Sequence, residues 1–582
     1  MTTFDNSKIY LTSPAVITPL GDTAETFFQA LLSGRHGFSG PLHFEAHGRR
    51  LGVCHQIDDH EDFDERFSKE EHALLPPRIP RAHRLLNALR AKLPGKLPKR
   101  LYLATTVGDI DLVTAGGIPE PDSPQSLLAY AKELFEADEA LLVSSACASG
   151  QRAICLAADA VARGEIDSAL VVGCDQTSEF VTSGFGSLNA LTAELPKPYD
   201  ANRSGMTLGE AAAAVIVSHE KPASGIFARL VGYGESCDAA HITAPDASGT
   251  WLAEAICKAM PDGLCPNAVI GHGTGTIYND QAELAALQIA FPQQTDIPLF
   301  SLKGNIGHTL GATGVLQAIA GMEILATRQF PPQAGLETPA QGAEHAVAMT
   351  SRQLPPDTHT VLSLNAGFGG LNNALLLTDL DIPLPGERPF AKTLPTPELL
   401  DIECDTTSEE RLAEERDALV ARGVLSAEDT ADFRRASLAV KHAILVAAKL
   451  KERMGNTWCP EEITIIGFGG DGVRHSNPAY WKDYIDHGRR RGRGTLFVDT
   501  LASIPLCEVA IALQLHGPAG YLQGKSHDEL FPPHQIGLTE AQLDCIAANR
   551  DLRLRTSKTC LTLLVSAYAE FATAVLFGIA RQ

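Results

Sequence analysis

The feature that most constrains this chain is a recurring unit: a short apolar run that stops in a turn of small residues. The clearest case is Leu141-Leu142-Val143, which passes through Ser144, Ser145, Ala146, Cys147 and Ala148 into Ser149-Gly150 and a helical stretch. An apolar run this short, bounded by turn residues, reads as a buried strand. The unit recurs. The run 268–271 ends in Gly271-His272-Gly273-Thr274-Gly275-Thr276, and 298–301 leads into Lys303-Gly304-Asn305-Ile306-Gly307-His308.

The alternation extends over the first 380 residues. Strands are expected at 101–106, 140–145, 168–173, 213–218, 268–271, 298–301, 361–364 and 374–378, and helices at 149–163 and 313–327. Such alternation is the mark of an α/β fold. Composition then shifts. Pro383, Pro385, Pro389, Pro395 and Pro397 mark 381–407 as a linker between a first domain, 1–380, and a second, 408–582. The second region predicts a long charged helix at 408–454 broken near Gly423, a strand at 463–466, an apolar stretch at 505–515, a helix at 539–549 and an apolar run to Phe577.

A net charge of −22 argues against nucleic-acid binding and against an anionic membrane surface. An acidic partner needs a local basic patch. One candidate runs from Arg78 to Arg100 and holds Arg81, Arg84, Arg90, Lys92, Lys96 and Lys99; a second comprises Arg489, Arg490, Arg491 and Arg493. The 12 cysteines form no CxxC pair and no Cys/His group with zinc spacing, so no metal is expected. The N-terminus lacks the layout of a leader peptide, and the apolar stretch 561–579 is interrupted by Ser, Tyr, Glu and Thr. These features predict reduced thiols in a cytoplasmic protein without a membrane span.

Four segments carry chemistry. Cys147 sits where strand becomes helix, and a helix N-terminus favours a thiolate. His272 sits between two glycines and His308 follows Gly307 in a glycine-rich turn, each after a strand end, which is where catalytic groups collect on an open α/β sheet. Thr274 and Thr276 offer two hydroxyls to one ligand chain. The turn Asn365-Ala366-Gly367-Phe368-Gly369-Gly370 can aim backbone N–H groups at a developing oxyanion.

In this order and spacing the four segments resemble the β-ketoacyl synthases, the condensing enzymes of fatty-acid and polyketide assembly. The resemblance covers about residues 8–380 and includes Lys197-Pro198-Tyr199-Asp200 and Phe330-Pro331-Pro332. It implies a thiolase fold of two similar α/β halves, usually dimeric through the first half. It implies that Cys147 carries the acyl chain as a thioester. His272 and His308 would promote decarboxylation of a malonyl thioester, and Lys303, held by Glu283, would support the second histidine. The N–H groups of Cys147 and Phe368 would form the oxyanion hole, and Ala366 and Gly369 would contact the substrate. Thr274 and Thr276 would contact the phosphopantetheine arm of an acyl carrier protein. No cofactor beyond that arm is implied.

The family's loop usually reads Ser-Phe-Gly-Phe-Gly-Gly, its first Phe gating the cysteine; here Ala366 stands in that place. The resemblance is weak between Pro76 and Glu139. Beyond 408, Phe433-Arg434-Arg435-Ala436-Ser437-Leu438, 463–470 and 504–518 resemble the front half of a condensing domain, but Ala519-Gly520-Tyr521-Leu522-Gln523-Gly524 holds no cysteine. This region resembles a cysteine-less half, as in chain-length factors. The resemblance implies decarboxylative Claisen condensation, in a fatty-acid or, by preference, a specialised polyketide or polyene pathway. An acyltransferase without elongation, or one subunit of a heteromeric synthase, is the alternative.

Overall fold

In the computed structural model, residues 8–57 (except 42 and 47), 79–114, 123–390, 397–523 (except 406, 459, 461, 462, 469–472, 474, 490 and 491), 561–567 and 572–579 are described. In chain order the described strands begin with β1 (Ile9–Ile17), β2 (Phe38–Ser39), β3 (Leu51–Gly52), β4 (Arg100–Ala104), β5 (Glu139–Ser144) and β6 (Ser168–Asp175). Next come β7 (Ala211–Ser218), β8 (Ala228–Cys237), β9 (Ala268–Ile270), β10 (Leu299–Phe300), β11 (Gln329–Phe330) and β12 (Arg352–Gln353). The last are β13 (Thr360–Gly367), β14 (Leu371–Thr378), β15 (Pro397–Asp405), β16 (Ile463–Phe468), β17 (Ala519–Gln523), β18 (Leu561–Ala567) and β19 (Ala572–Ile579). β2 with β3 and β11 with β12 make small ribbons, and the rest form one sheet in the order β10-β9-β13-β14-β8-β1-β7-β6-β4-β5-β17-β16-β18-β19-β15.

That order contains one five-strand unit three times. Numbering the sheet strands of each unit from 1 to 5 along the chain, all three units have the spatial order 3-2-4-5-1. Strand 2 runs parallel to strands 3 and 4, and the pairs 4–5 and 5–1 are antiparallel, in every unit. The first and second units join through their first strands, β1 against β8, and the first and third through their third strands, β5 against β17. The fold is the α/β thiolase fold, with a third half-unit carried on the first.

The helices Ser149–Ala162 and Thr313–Thr327 follow the nucleophile turn and the His308 turn, and they pack on each other in the centre. Their close approach needs glycine. A Cβ on Gly150 would lie 2.7 Å from Gly311 O, and one on Gly314 would lie 2.3 Å from Gln151 N. The segment Leu310–Thr327 has the length and hydropathy of a membrane span, and 89% of it is buried inside the protein.

The structure changes several expectations. The stretch read as linker, 381–407, holds β15, which pairs antiparallel with β19. The helix expected at 408–454, broken near Gly423, is indeed two, Leu412–Ala421 and Leu438–Met454. The chain turns at Gly423, in the left-handed region at φ 73°. The 505–515 stretch is the helix Ile504–Leu513. The basic run around Arg81 is largely engaged: Arg81 is buried on Glu210, Lys92 pairs with Asp22, Arg100 with Glu139, and Lys99 donates to Glu136 O. The helix expected at 539–549, and Arg78, Arg490 and Arg491, lie outside the described residues.

Candidate active site

The nucleophile turn is strained by design of its sequence. Ala146 is left-handed, at φ 47°, a conformation costly for a residue with a Cβ. Ser149 holds it there: its Oγ accepts from Ser145 N at 2.8 Å and donates to Ala146 O at 2.5 Å. The turn lifts Cys147 to the start of the helix Ser149–Ala162, at the edge of a narrow cavity of about 10 Å³. Its wall takes Thr106, Val107, Val181, Phe185, Leu310 and Phe368 from the first two units, and Phe497 and Leu501 from the C-terminal region.

Burial pushes the Cys147 thiol up to about 12. Lys303 and the N–H groups of Phe368 and Cys147 pull it down, and Asp175 pushes it further up. Desolvation outweighs the helix N-terminus, so the resting nucleophile is a thiol and the expected resting thiolate is not supported.

His272 follows β9 directly. Its backbone is fixed by Glu283, whose carboxylate accepts from His272 N at 2.5 Å, from Gly273 N at 2.8 Å and from Tyr199 Oη at 2.8 Å. Lys303 Nζ lies 3.2 Å from His272 Nδ1 and also donates to His272 O. The described hydrogen bonds of Lys303 are thus to the first histidine rather than to the second. Glu283 acts on Lys303 by charge, favouring the ammonium, while burial lowers the lysine pKa.

His308 Nδ1 accepts from Leu310 N at 3.3 Å and faces Thr313 Oγ1 at 3.3 Å. A backbone N–H only donates, so Nδ1 is the acceptor and Nε2 carries the proton. The two imidazoles meet edge to face, with centroids 5.4 Å apart at 88°. Burial, then Lys303, holds both pKa values well below the usual histidine range, and His308 adds to this for His272. Both rings are neutral at neutral pH.

The turn between β13 and β14 brings Phe368 to the cavity, and a Cβ on Gly367 would lie 3.1 Å from Cys147 N. Ala366 is half-buried and opposite Asn372. Gly369 faces the C-terminal region instead: it donates to Ile242 O at 2.6 Å, and a Cβ there would lie 2.1 Å from Cys507 Sγ. Thr274 Oγ1 and Thr276 Oγ1 are 2.8 Å apart, on a loop clamped by Asp280, which accepts from Thr274 N at 2.9 Å and Gly275 N at 3.2 Å. Among the described residues no group of three or more His, Cys, Asp or Glu is placed to hold a metal ion.

Sequence reasoning missed Asp175, Gln317, Asn365, Phe497 and Leu501 as parts of the site. Asp175 accepts from Thr105 Oγ1, Thr106 N, Val107 N and Gly311 N, tying the ends of β4 and β6 to the His308 loop. Asp175 ends β6, and Asn365 opens the 365–370 segment already singled out, signals that could have found them. Phe497 and Leu501 had none, because they arrive from a distant part of the chain.

Residues 139–223 match the family described as Beta-ketoacyl synthase, N-terminal domain, and residues 227–337 match Beta-ketoacyl synthase, C-terminal domain. The 3-oxoacyl-[acyl-carrier-protein] synthase 2 of Vibrio harveyi is 26% identical over 407 residues, 63% of this chain and 98% of that protein. A putative polyketide beta-ketoacyl synthase 1 of Streptomyces cyaneus is 28% identical, over 64% of this chain and 98% of that protein. Among solved structures, the PfaC keto synthase-chain length factor superposes on 99% of this chain and 78% of its own, with a TM-score of 0.71 at 14% identity. The ishigamide ketosynthase/chain length factor covers 64% of this chain and 99% of its own, with a TM-score of 0.53 at 24% identity.

Proposed function

Because the chain belongs to the β-ketoacyl synthase family, within the thiolase-like superfamily, and is an acyltransferase of the condensing type, we propose that it joins an acyl group on Cys147 to a malonyl unit on an acyl carrier protein. The observation that carries this reading is the pair of neutral imidazoles, edge to face at 5.4 Å, with the charge of Lys303 acting on both rings and on the buried Cys147 thiol.

Cys147 loses its proton as it attacks the carrier thioester, and the carrier leaves as a free thiol. The tetrahedral oxyanion faces the N–H groups of Cys147 and Phe368. A malonyl carrier then enters past Thr274 and Thr276. Its carboxylate leaves as carbon dioxide, and the electron pair of that bond forms an enolate. The Nε2–H of His308 and a ring N–H of His272 stabilise the enolate oxygen. The enolate carbon attacks the Cys147 thioester, a carbon–carbon bond forms, and the sulfur leaves. Neutral imidazoles suit this task, since they donate hydrogen bonds without trapping the enolate by protonation. The arm belongs to the substrate, and the reaction runs in the cytoplasm, where thiols stay reduced.

The third unit is a cysteine-less half of a condensing domain, standing where the resemblance implies that a second subunit would pack. Its strand order supports this, as does the absence of any cysteine between Cys507 and Cys545. With the β5 edge taken by β17 of the same chain, the catalytic half needs no ketosynthase-like partner there. A built-in partner half fits a specialised polyketide or polyene pathway better than general fatty-acid synthesis.

The test is intact-protein mass spectrometry with acyl-carrier and malonyl-carrier thioesters, comparing wild type with Cys147→Ala. An adduct on Cys147 that is consumed by malonyl-carrier to give a β-ketoacyl product supports condensation. An adduct that moves to another acceptor without elongation makes the protein an acyltransferase only. No adduct with any carrier overturns both.

A further inference from the structure

The parallel pairing of β13 with β9 sets Ser363 beside Ile270. Two residues further on stand Asn365, still within β13, and His272, in the turn after β9. Asn365 is fully buried, and its orientation is forced by its neighbour. Gln317 Nε2 donates to Gly271 O at 2.8 Å and to Leu364 O at 3.0 Å, so the Gln317 oxygen is the atom turned to Asn365. Asn365 Nδ2 donates to that oxygen at 3.0 Å. Oδ1 is left over, buried and without a partner of good geometry among the described residues. An amide flip is ruled out, because it would set oxygen against oxygen.

We propose that Asn365 is a positioning residue for His272: Oδ1, aimed by the Gln317 amide, accepts the single N–H of the ring in the resting site and fixes the ring plane and tautomer from which that N–H is shared with the enolate oxygen. The inference rests on the condensing reading only for what His272 then does. Every other neighbour of the ring works against its protonation: burial, then Lys303, then His308, with the hydrogen bond to Asn365 the one opposing influence. Asn365 also stands where the resembling loop has serine, next to Ala366 in place of phenylalanine. Two adjacent changes thus put a longer acceptor against the histidine and a smaller side chain before Phe368.

The experiment uses the full chain with ¹³C,¹⁵N-labelled histidine, with His272→Gln to assign the signal, and compares wild type with Asn365→Leu, Asn365→Ser and Asn365→Asp. The readouts are the His272 ring shifts against pH and the pH profile of malonyl-carrier decarboxylation. Asn365→Leu is expected to change the His272 nitrogen shifts and to slow decarboxylation on the order of tenfold to a hundredfold, with Cys147 alkylation unchanged. Asn365→Asp, which keeps an acceptor and adds charge, is expected to restore part of the rate and to move the His272 titration and the profile to higher pH. Unchanged His272 shifts in both the Leu and Asp variants overturn the proposal. The ring shifts need no turnover, so a protein that fails to condense still tests Asn365, and a condensing protein with unmoved shifts overturns Asn365 alone.

Discussion

Tyr521 lies opposite Ser144 in the antiparallel pair of β17 with β5, three residues before the nucleophile. This contact between residues far apart in sequence carries the sheet out of the catalytic half and into the C-terminal region. It also closes the edge through which the resemblance implies dimerisation.

A chain ending at Leu380 would bare that edge and an apolar cluster shared by Leu103, Leu127 and Leu142 with Leu506, Leu513 and Tyr521. Unpaired strand edges recruit other chains. The truncated protein is expected to aggregate or to pair with another copy in light-scattering measurements. A folded, fully active monomer would refute a supporting role for the third unit.

Phe497 packs into the cavity from the C-terminal region, 5.2 Å from the ring of Phe185, and leaves no room for a Cβ on Gly184. Phe497→Ala removes the bulk at that wall. Acyl-carrier thioesters of graded length are expected to load Cys147 with a preference shifted to longer chains. The same preference in both proteins would place the acyl chain elsewhere.

Ala366 leaves open the place of the gating ring. Ala366→Phe is expected to slow loading of the bulkier acyl groups and to leave the shortest ones least affected, read as adduct formation on Cys147. Unchanged chain preference would count against a gate at this position.

The buried Cys147 thiol, pushed up to about 12, has no thiolate plateau near neutral pH. Alkylation of Cys147 by iodoacetamide, followed by peptide mass spectrometry, is expected to climb steadily between about pH 7 and 9. A plateau below about pH 8 would show a preformed thiolate. Acyl transfer then depends on proton removal in the substrate complex.

Arg81 is a buried structural charge. Its guanidinium pairs with Glu210 at 2.5 Å, and the two side chains are 5% and 0% exposed. Burial alone would raise the Glu210 pKa, but Arg81 outweighs it and the value falls to about 2. A depressed carboxylate pKa stabilises the fold above the ordinary carboxylate range, and that contribution is lost as pH falls from about 4.5 towards about 2. Arg81→Ala leaves Glu210 buried without its partner and is expected to cost about 3–5 kcal/mol, read as a lower urea midpoint at neutral pH. An unchanged midpoint would refute this role.

The sequence alone set the order of the candidate site residues and the resemblance that suggests their chemistry. Cys147, His272, Lys303, His308 and the 365–370 turn are legible because each follows a short apolar run, and strand, turn and helix are decided by residues close together in the chain. The α/β class followed from the same local signals, and the thiolase fold from the family resemblance that these segments carry. What lies between distant segments was not legible. Periodicity says that a strand exists, not which strand it will meet, so the pairing of Tyr521 with Ser144 and the arrival of Phe497 at the cavity were decided by tertiary packing. β15 hid among prolines because its partner, β19, lies far along the chain. Burial decided the protonation states. The same cysteine that a helix N-terminus would ionise in a wet site stays a thiol when desolvation is the larger effect. The turn of Lys303 towards His272, and the aim of Asn365 through Gln317, were likewise settled by which side chains the folded core forced into contact.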